Sequence, residues 1–202
     1  VNNVTGDTAD IVETVVYSPE TQKLTYTVID DTTNTTLEDK KDLASGDSNS
    51  EVKPETKATY DQIVAGYEAK GYELVRKDAL PTKFDTDTTV DQNVTIHLKH
   101  KTEVTQESKK VKHTINYVYK DNNPAEPAFP TVERELEFTR ENTKDLVTNV
   151  VTNGQWTPAN GTSFGEVVSP TKPGYTADKA KVEVVNNVTG DTADIVETVV
   201  YS

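Results

Sequence analysis

Three histidines, His97, His100 and His113, and no cysteine are all that this 202-residue sequence offers as side chains that titrate near neutrality or act as soft metal ligands. Nucleophilic catalysis needs a nucleophile one hydrogen bond from a base, and a transition-metal site needs ligands spaced to converge on one ion. Neither spacing occurs. The histidines fall in alternating segments that read as strands, and by parity His97 and His100 point to opposite faces. No enzyme activity and no cofactor are expected. The run FDTDTTVDQN places Asp85, Asp87 and Asp91 in one short loop, and calcium takes several such oxygens. The loop lacks the turn glycine and closing glutamate of an EF-hand, so it reads as a solvated acidic turn, with calcium as the alternative.

Binding chemistry has two candidates. Lys99, His100 and Lys101 precede an acidic stretch and Lys109, Lys110 and Lys112 follow it, the one basic cluster in a chain with 21 Lys and Arg against 34 Asp and Glu. Such a cluster could meet sialate or sulfate on a glycan; equally, it could neutralise Glu103 and Glu107 or guard a sheet edge. Trp156, the single tryptophan, could stack on a sugar face or close a small core. The net charge of -13 excludes a nucleic-acid backbone as partner. No apolar run approaches the roughly 20 residues of a membrane-spanning helix, so no membrane insertion is expected.

These residues must be positioned by thin, strand-rich modules. Hydrophobic residues make up 33% and the mean hydropathy is -0.67, which suits small cores with much exposed surface. QKLTYTVI alternates Leu24, Tyr26 and Val28 with threonines, and NVTIHLKHK places Val94, Ile96 and Leu98 on one side. LEDKKDLASGDS reads as a polar edge strand and YELVRKDAL as a further strand. TYDQIVAGYEAKG predicts a helix with a Thr59–Gln62 capping box, an apolar face of Tyr60, Ile63, Val64 and Tyr67, and Gly71 as its left-handed terminator. Strand, strand, helix, strand, strand is the order of a β-grasp sheet. VKHTINYVYK and TVERELEFTR open a second, looser version, in which SFGEVVSPTKPGYTA predicts a short helix-like stretch and LVTNVVTNGQWTPANGT an inserted strand or hairpin.

The sequence also repeats itself. VNNVTGDTADIVETVVYS occupies Val1–Ser18 and again Val185–Ser202. Identity over so long a stretch predicts tandem duplication of whole units in a longer protein. Residues 1–18 would then be the terminal strand of a preceding repeat, 19–104 a first β-grasp domain and 105–202 a larger second one with the insertion. The displaced strand is expected to pair along a sheet edge, on its own chain or a neighbour.

TINYVY, RELEFTR, WTPANGTSFGEVVSPTKPGYTAD and IVETVVY, with YTVIDD and GYELV in the first half, together resemble the mucus-binding (MucBP and Mub-type) repeats of lactic-acid-bacterial surface adhesins. The resemblance implies an α+β, strand-dominated fold of two tandem ubiquitin-like β-grasp modules forming an elongated rod. It further implies an extracellular, cell-wall-attached protein of a Gram-positive bacterium that binds mucin glycoproteins or their glycans, multivalently and without catalysis. Two alternatives stand beside it: a stalk that projects a distal binding domain and contacts only neighbouring repeats, and a module whose open edge pairs with an immunoglobulin. The resemblance assigns no site residue.

Overall fold

A computed structural model describes residues 1–202, and the chain divides into two units, Val1–Lys101 and Thr102–Ser202. No helix is long and apolar enough to cross a membrane.

In the first unit, the alternating runs become β1 (Thr21–Asp30), β2 (Thr35–Asp47), β3 (Tyr72–Lys77) and β4 (Gln92–His100), with α1 (Pro54–Glu68) between β2 and β3. The sheet order is β2-β1-β4-β3. β1 pairs antiparallel with β2 and parallel with β4, the β-grasp arrangement. Leu24 and Val28 of β1 and Val94, Ile96 and Leu98 of β4 meet Tyr60 and Val64 of α1, with Phe84 closing the cluster. β2 is an edge, broken by three register shifts. Glu38 anchors it there, accepting hydrogen bonds from Tyr26 (3.1 Å) and from Tyr67 on α1 (2.7 Å). Burial, followed by the Glu38 carboxylate, pushes both phenols up.

The helix begins five residues before the expected Thr59. Pro54 occupies its first turn and Lys53 provides no side-chain cap; a proline has φ already set for that position and no N–H to leave unsatisfied. The expected capping box therefore does not form: Thr59 lies inside the helix and its hydroxyl donates to the Glu55 carbonyl. Gly71, at φ +96°, follows the helix as expected.

In the second unit, β5 (Thr102–Tyr119) and β6 (Pro127–Asp145) form a long antiparallel pair. β7 (Val151–Asn153) and β8 (Thr157–Pro158), both from the inserted segment, add to the far side of β6. β9 (Val167–Val168) and β10 (Lys181–Val182) make a separate small sheet, and β11 (Ile195–Tyr201) pairs parallel with β5. β6, β5 and β11 thus reproduce the β2, β1, β4 relationship of the first unit. No helix crosses this sheet. The helix-like stretch is instead an irregular cover that brings Phe164 and Val167 onto the sheet, together with Val182 of β10. Pro170 and Pro173 and the adjacent β-branched Val167 and Val168 explain the difference, because proline in a helix interior removes a hydrogen bond and clashes with the preceding turn.

His113 sits fully buried under this cover, its Nδ1 accepting from Arg134 Nη2 at 2.7 Å and its ring 5.0 Å from that of Phe164. Its Nε2 has no partner. Burial first, then the Arg134 charge, pushes the imidazole below its ordinary range, against a smaller opposing effect of Glu197. A histidine held neutral in the fold but free to protonate when unfolded contributes stability above its unfolded pKa of about 6.5 that is lost as pH falls through the interval below. Acidification from pH 7.5 to 5.5 is therefore expected to lower the unfolding midpoint read from Trp156 fluorescence, and His113→Gln to flatten that dependence. Equal slopes for both proteins would rule out His113 as the source.

The two copies of the repeated segment adopt different structures. In both, a turn forms: Thr8 N donates to Thr5 O and Thr192 N to Thr189 O, each at 3.1 Å. Thr5 N reaches the Thr8 hydroxyl as Thr189 N reaches that of Thr192, and Asn3 and Asn187 take φ of +59° and +57°. Beyond the turn they diverge. Ile195–Tyr201 is β11, whereas Val1–Ser18 is exposed throughout and pairs with no strand. The expected edge pairing of residues 10–18 thus does not occur within the chain itself. The turn closes on its own side chains, but a strand needs a ladder partner and a buried face, and the N-terminal copy has neither.

Candidate ligand-binding surface

The basic cluster separates by strand parity. Lys99 and Lys101 are exposed at the end of β4, while His100 points inward. Its Nε2 lies 2.7 Å from Asp30 Oδ2, with both side chains almost fully buried. Asp30 also accepts from the Thr32 backbone and the Thr33 hydroxyl, so this pair fastens the β1–β2 turn to β4. His97, on the opposite face, meets Asp31 at 2.8 Å.

On β5, Lys109 shares the inward parity of Val111 and His113, and its ammonium donates to the Gly190 carbonyl at 2.6 Å. Lys110 and Lys112 project from the other face. There, Lys112 stands opposite Glu135 and Lys110 opposite Glu137 in the ladder, and Lys110 pairs with Glu135 at 3.1 Å. Lys112, Thr114, Glu133, Arg134 and Glu135 border a shallow concavity on the sheet. Lys110 thus neutralises a glutamate of β6, while the Glu107 carboxylate accepts from Arg140 (2.8 Å) and Asn142 (2.6 Å). Those two bonds hold Glu107 below its usual range.

Trp156 is partly buried against Val111, Leu136, Phe138, Phe164 and Val188. The Arg140 guanidinium lies 4.1 Å from its ring centroid, and Gly190 lies so close that an added Cβ would overlap Trp156 Cγ. The indole closes a core and supports an arginine. Beside it, Gln106, Thr139, Arg140, Glu141, Gln155 and Thr157 border a polar groove between β6 and the inserted strands. Amide, hydroxyl and guanidinium groups arranged along such a groove can hydrogen-bond the hydroxyls of a sugar. Arg134 and Arg140 are not among the sequence candidates, though a signal for them exists: they continue the parity of buried Leu136 and Phe138 along RELEFTR. Asp85, Asp87 and Asp91 do not gather into a group that could hold a metal. Asp87 instead accepts from the backbone and hydroxyl of Thr89, which lower its pKa.

Residues 22–100 match a family model described as a mucin binding domain, and residues 102–202 one described as a Muc B2-like domain. The crystal structure of Mub-RV superposes with a TM-score of 0.73 at 33% identity, covering 89% of this chain and 97% of that one. The chain belongs to the Mub family of mucus-binding repeats. A type 2 repeat of the mucus binding protein MUB from Lactobacillus reuteri is also similar, with a TM-score of 0.54 at 28% identity over 90% of this chain and 98% of that one. No curated protein sequence matches. Within this Mub-type repeat, the first family match falls inside the unit that carries the α-helix, and the second is coextensive with the unit that has none.

Proposed function

We propose that this repeat is a link of a surface adhesin on a Gram-positive, wall-bearing cell, and that it holds mucin glycoproteins through their glycans. The tandem order of the two family matches, a mucin binding domain followed directly by a Muc B2-like domain, carries the reading. In this reading residues 1–18 close a preceding repeat, and 19–104 and 105–202 are the two domains of this one. The contact surfaces are the groove beside Trp156 and the exposed lysines Lys99, Lys101, Lys110 and Lys112; His100 and Lys109 support them from within. Individual contacts are weak and polar, and linked copies multiply them because a second site rebinds at high effective concentration.

Retention on immobilised mucin tests this. A chain of three repeats is expected to dissociate at least about 100-fold more slowly than one repeat, Arg140→Ala to weaken the single repeat, and sialidase treatment to report on the lysines. Equal and negligible retention of one and three repeats would end the adhesin reading. The Lys110–Glu135 pairing favours a second reading, a solvated stalk without ligand, which predicts that outcome. Capture of immunoglobulin with mucin unbound would instead favour pairing along a sheet edge.

A further inference from the structure

We propose that Asn160 is a modification site, where the amide nitrogen of Gly161 closes a succinimide and water then converts the asparagine to aspartate and isoaspartate. The sequence holds two Asn-Gly pairs, Asn153–Gly154 and Asn160–Gly161, both exposed and both in the inserted segment. Glycine hinders this ring closure least, because it has no Cβ. The fold treats the two pairs differently.

In the first pair the nucleophile is committed. Gly154 N donates to the Glu141 carbonyl at 2.8 Å, Asn153 stands opposite Asn142 in the β6–β7 ladder, and a Cβ on Gly154 would overlap that same carbonyl oxygen. Turning the Gly154 amide toward the Asn153 side chain breaks this bond. In the second pair Gly161 N donates to no group, and Gly161, at φ +110°, has nothing within 4 Å of an added Cβ. The electrophile, by contrast, is held. Asn160 Oδ1 accepts from the Glu137 backbone N–H at 2.8 Å, and Ala159 N donates to the Glu137 carbonyl at 2.9 Å. A donor on Oδ1 draws electrons from Cγ and stabilises the oxyanion that forms when Cγ is attacked.

The net reaction is a hydrolysis. Gly161 N gives up its proton and bonds to Cγ, the Cγ–Nδ2 bond breaks, and Nδ2 leaves with that proton as ammonia. Water opens the ring at Cγ to give aspartate, or at the Asn160 backbone carbonyl to give isoaspartate, whose main chain runs through Cβ and Cγ. The longer isoaspartyl link displaces the pairing with Glu137 and loosens the end of β8, whose Thr157 borders the polar groove. Weaker glycan retention by aged protein is a corollary that rests on the adhesin reading; the chemistry does not.

The test incubates the full chain in warm, mildly alkaline buffer, folded or in urea, and maps both asparagines by mass spectrometry, with isoaspartate labelled by an isoaspartyl methyltransferase. In the folded chain Asn160 is expected to convert at least about tenfold faster than Asn153, the factor to which one lost hydrogen bond corresponds. In urea the two rates should converge. Asn160 left intact, or a folded-state ratio no larger than the ratio in urea, overturns the proposal. Mucin retention of aged protein, set against equally aged Asn160→Gln, reads the corollary separately: conversion with retention unchanged would remove the link to the groove and leave the chemistry standing.

Discussion

Gly190→Ala is expected to destabilise the second unit by about 3 kcal/mol, while Gly6→Ala, the same substitution in the same eighteen-residue sequence, leaves stability unchanged. A Cβ at Gly190 would fall within 2.7 Å of Trp156 Cγ, Cδ1 and Cβ. These atoms sit at the root of the side chain, so the clash cannot be relieved by moving a flexible tip. The indole must shift as a whole, and with it the Arg140 stack and the packing on Val111 and Val188. Overpacking of this kind costs about 1–3 kcal/mol, sometimes more. Gly6 has nothing within 4 Å. Denaturant unfolding followed by the single tryptophan measures both variants. Equal midpoints would mean that the close approach of Gly190 to Trp156 does not hold in solution.

The second large effect lies in the first unit. Asp30→Ala is expected to cost about 3 kcal/mol, because a buried carboxylate that accepts from His100, the Thr32 backbone and the Thr33 hydroxyl disappears while its donors remain. Asp30→Asn keeps one acceptor oxygen and should lose about half as much. Urea unfolding monitored by circular dichroism reads the difference. An alanine variant as stable as the asparagine one would show that the turn finds other partners.

Alternation is enough to read the central strands. Leu24, Val28, Val94, Ile96 and Leu98 are buried as their period-2 spacing requires, and the helix face of Tyr60 and Val64 meets them. The start of that helix is ambiguous in sequence because a plausible Thr59–Gln62 capping pair competes with a proline five residues earlier, and only tertiary placement decides between them. The cover of the second unit is illegible for another reason. SFGEVVSPTKPGYTA has too few apolar residues to define a period, and its prolines and adjacent valines count against a helix without saying what replaces it. The paired lysines are visible as a cluster in sequence, but their glutamate partners lie on a strand whose register no local pattern specifies. The repeated segment marks the limit most clearly, since one sequence is a strand at Ile195–Tyr201 and unpaired at its other occurrence.

The parallel pairings have a mechanical consequence. In each unit the first strand lies beside the last and runs the same way: β1 with β4 from Leu24↔Gln92 to Asp30↔Leu98, and β5 with β11 from His113↔Ile195 to Tyr119↔Tyr201. Tension applied through the chain ends pulls such a pair in opposite directions along its length. The hydrogen bonds of the ladder are then loaded together in shear rather than opened one after another, and seven residue pairs must yield at once in each unit. Forced unfolding is governed by the unfolding rate rather than by equilibrium stability. A fold with a modest core and no disulfide can therefore resist a sustained pull on its two ends.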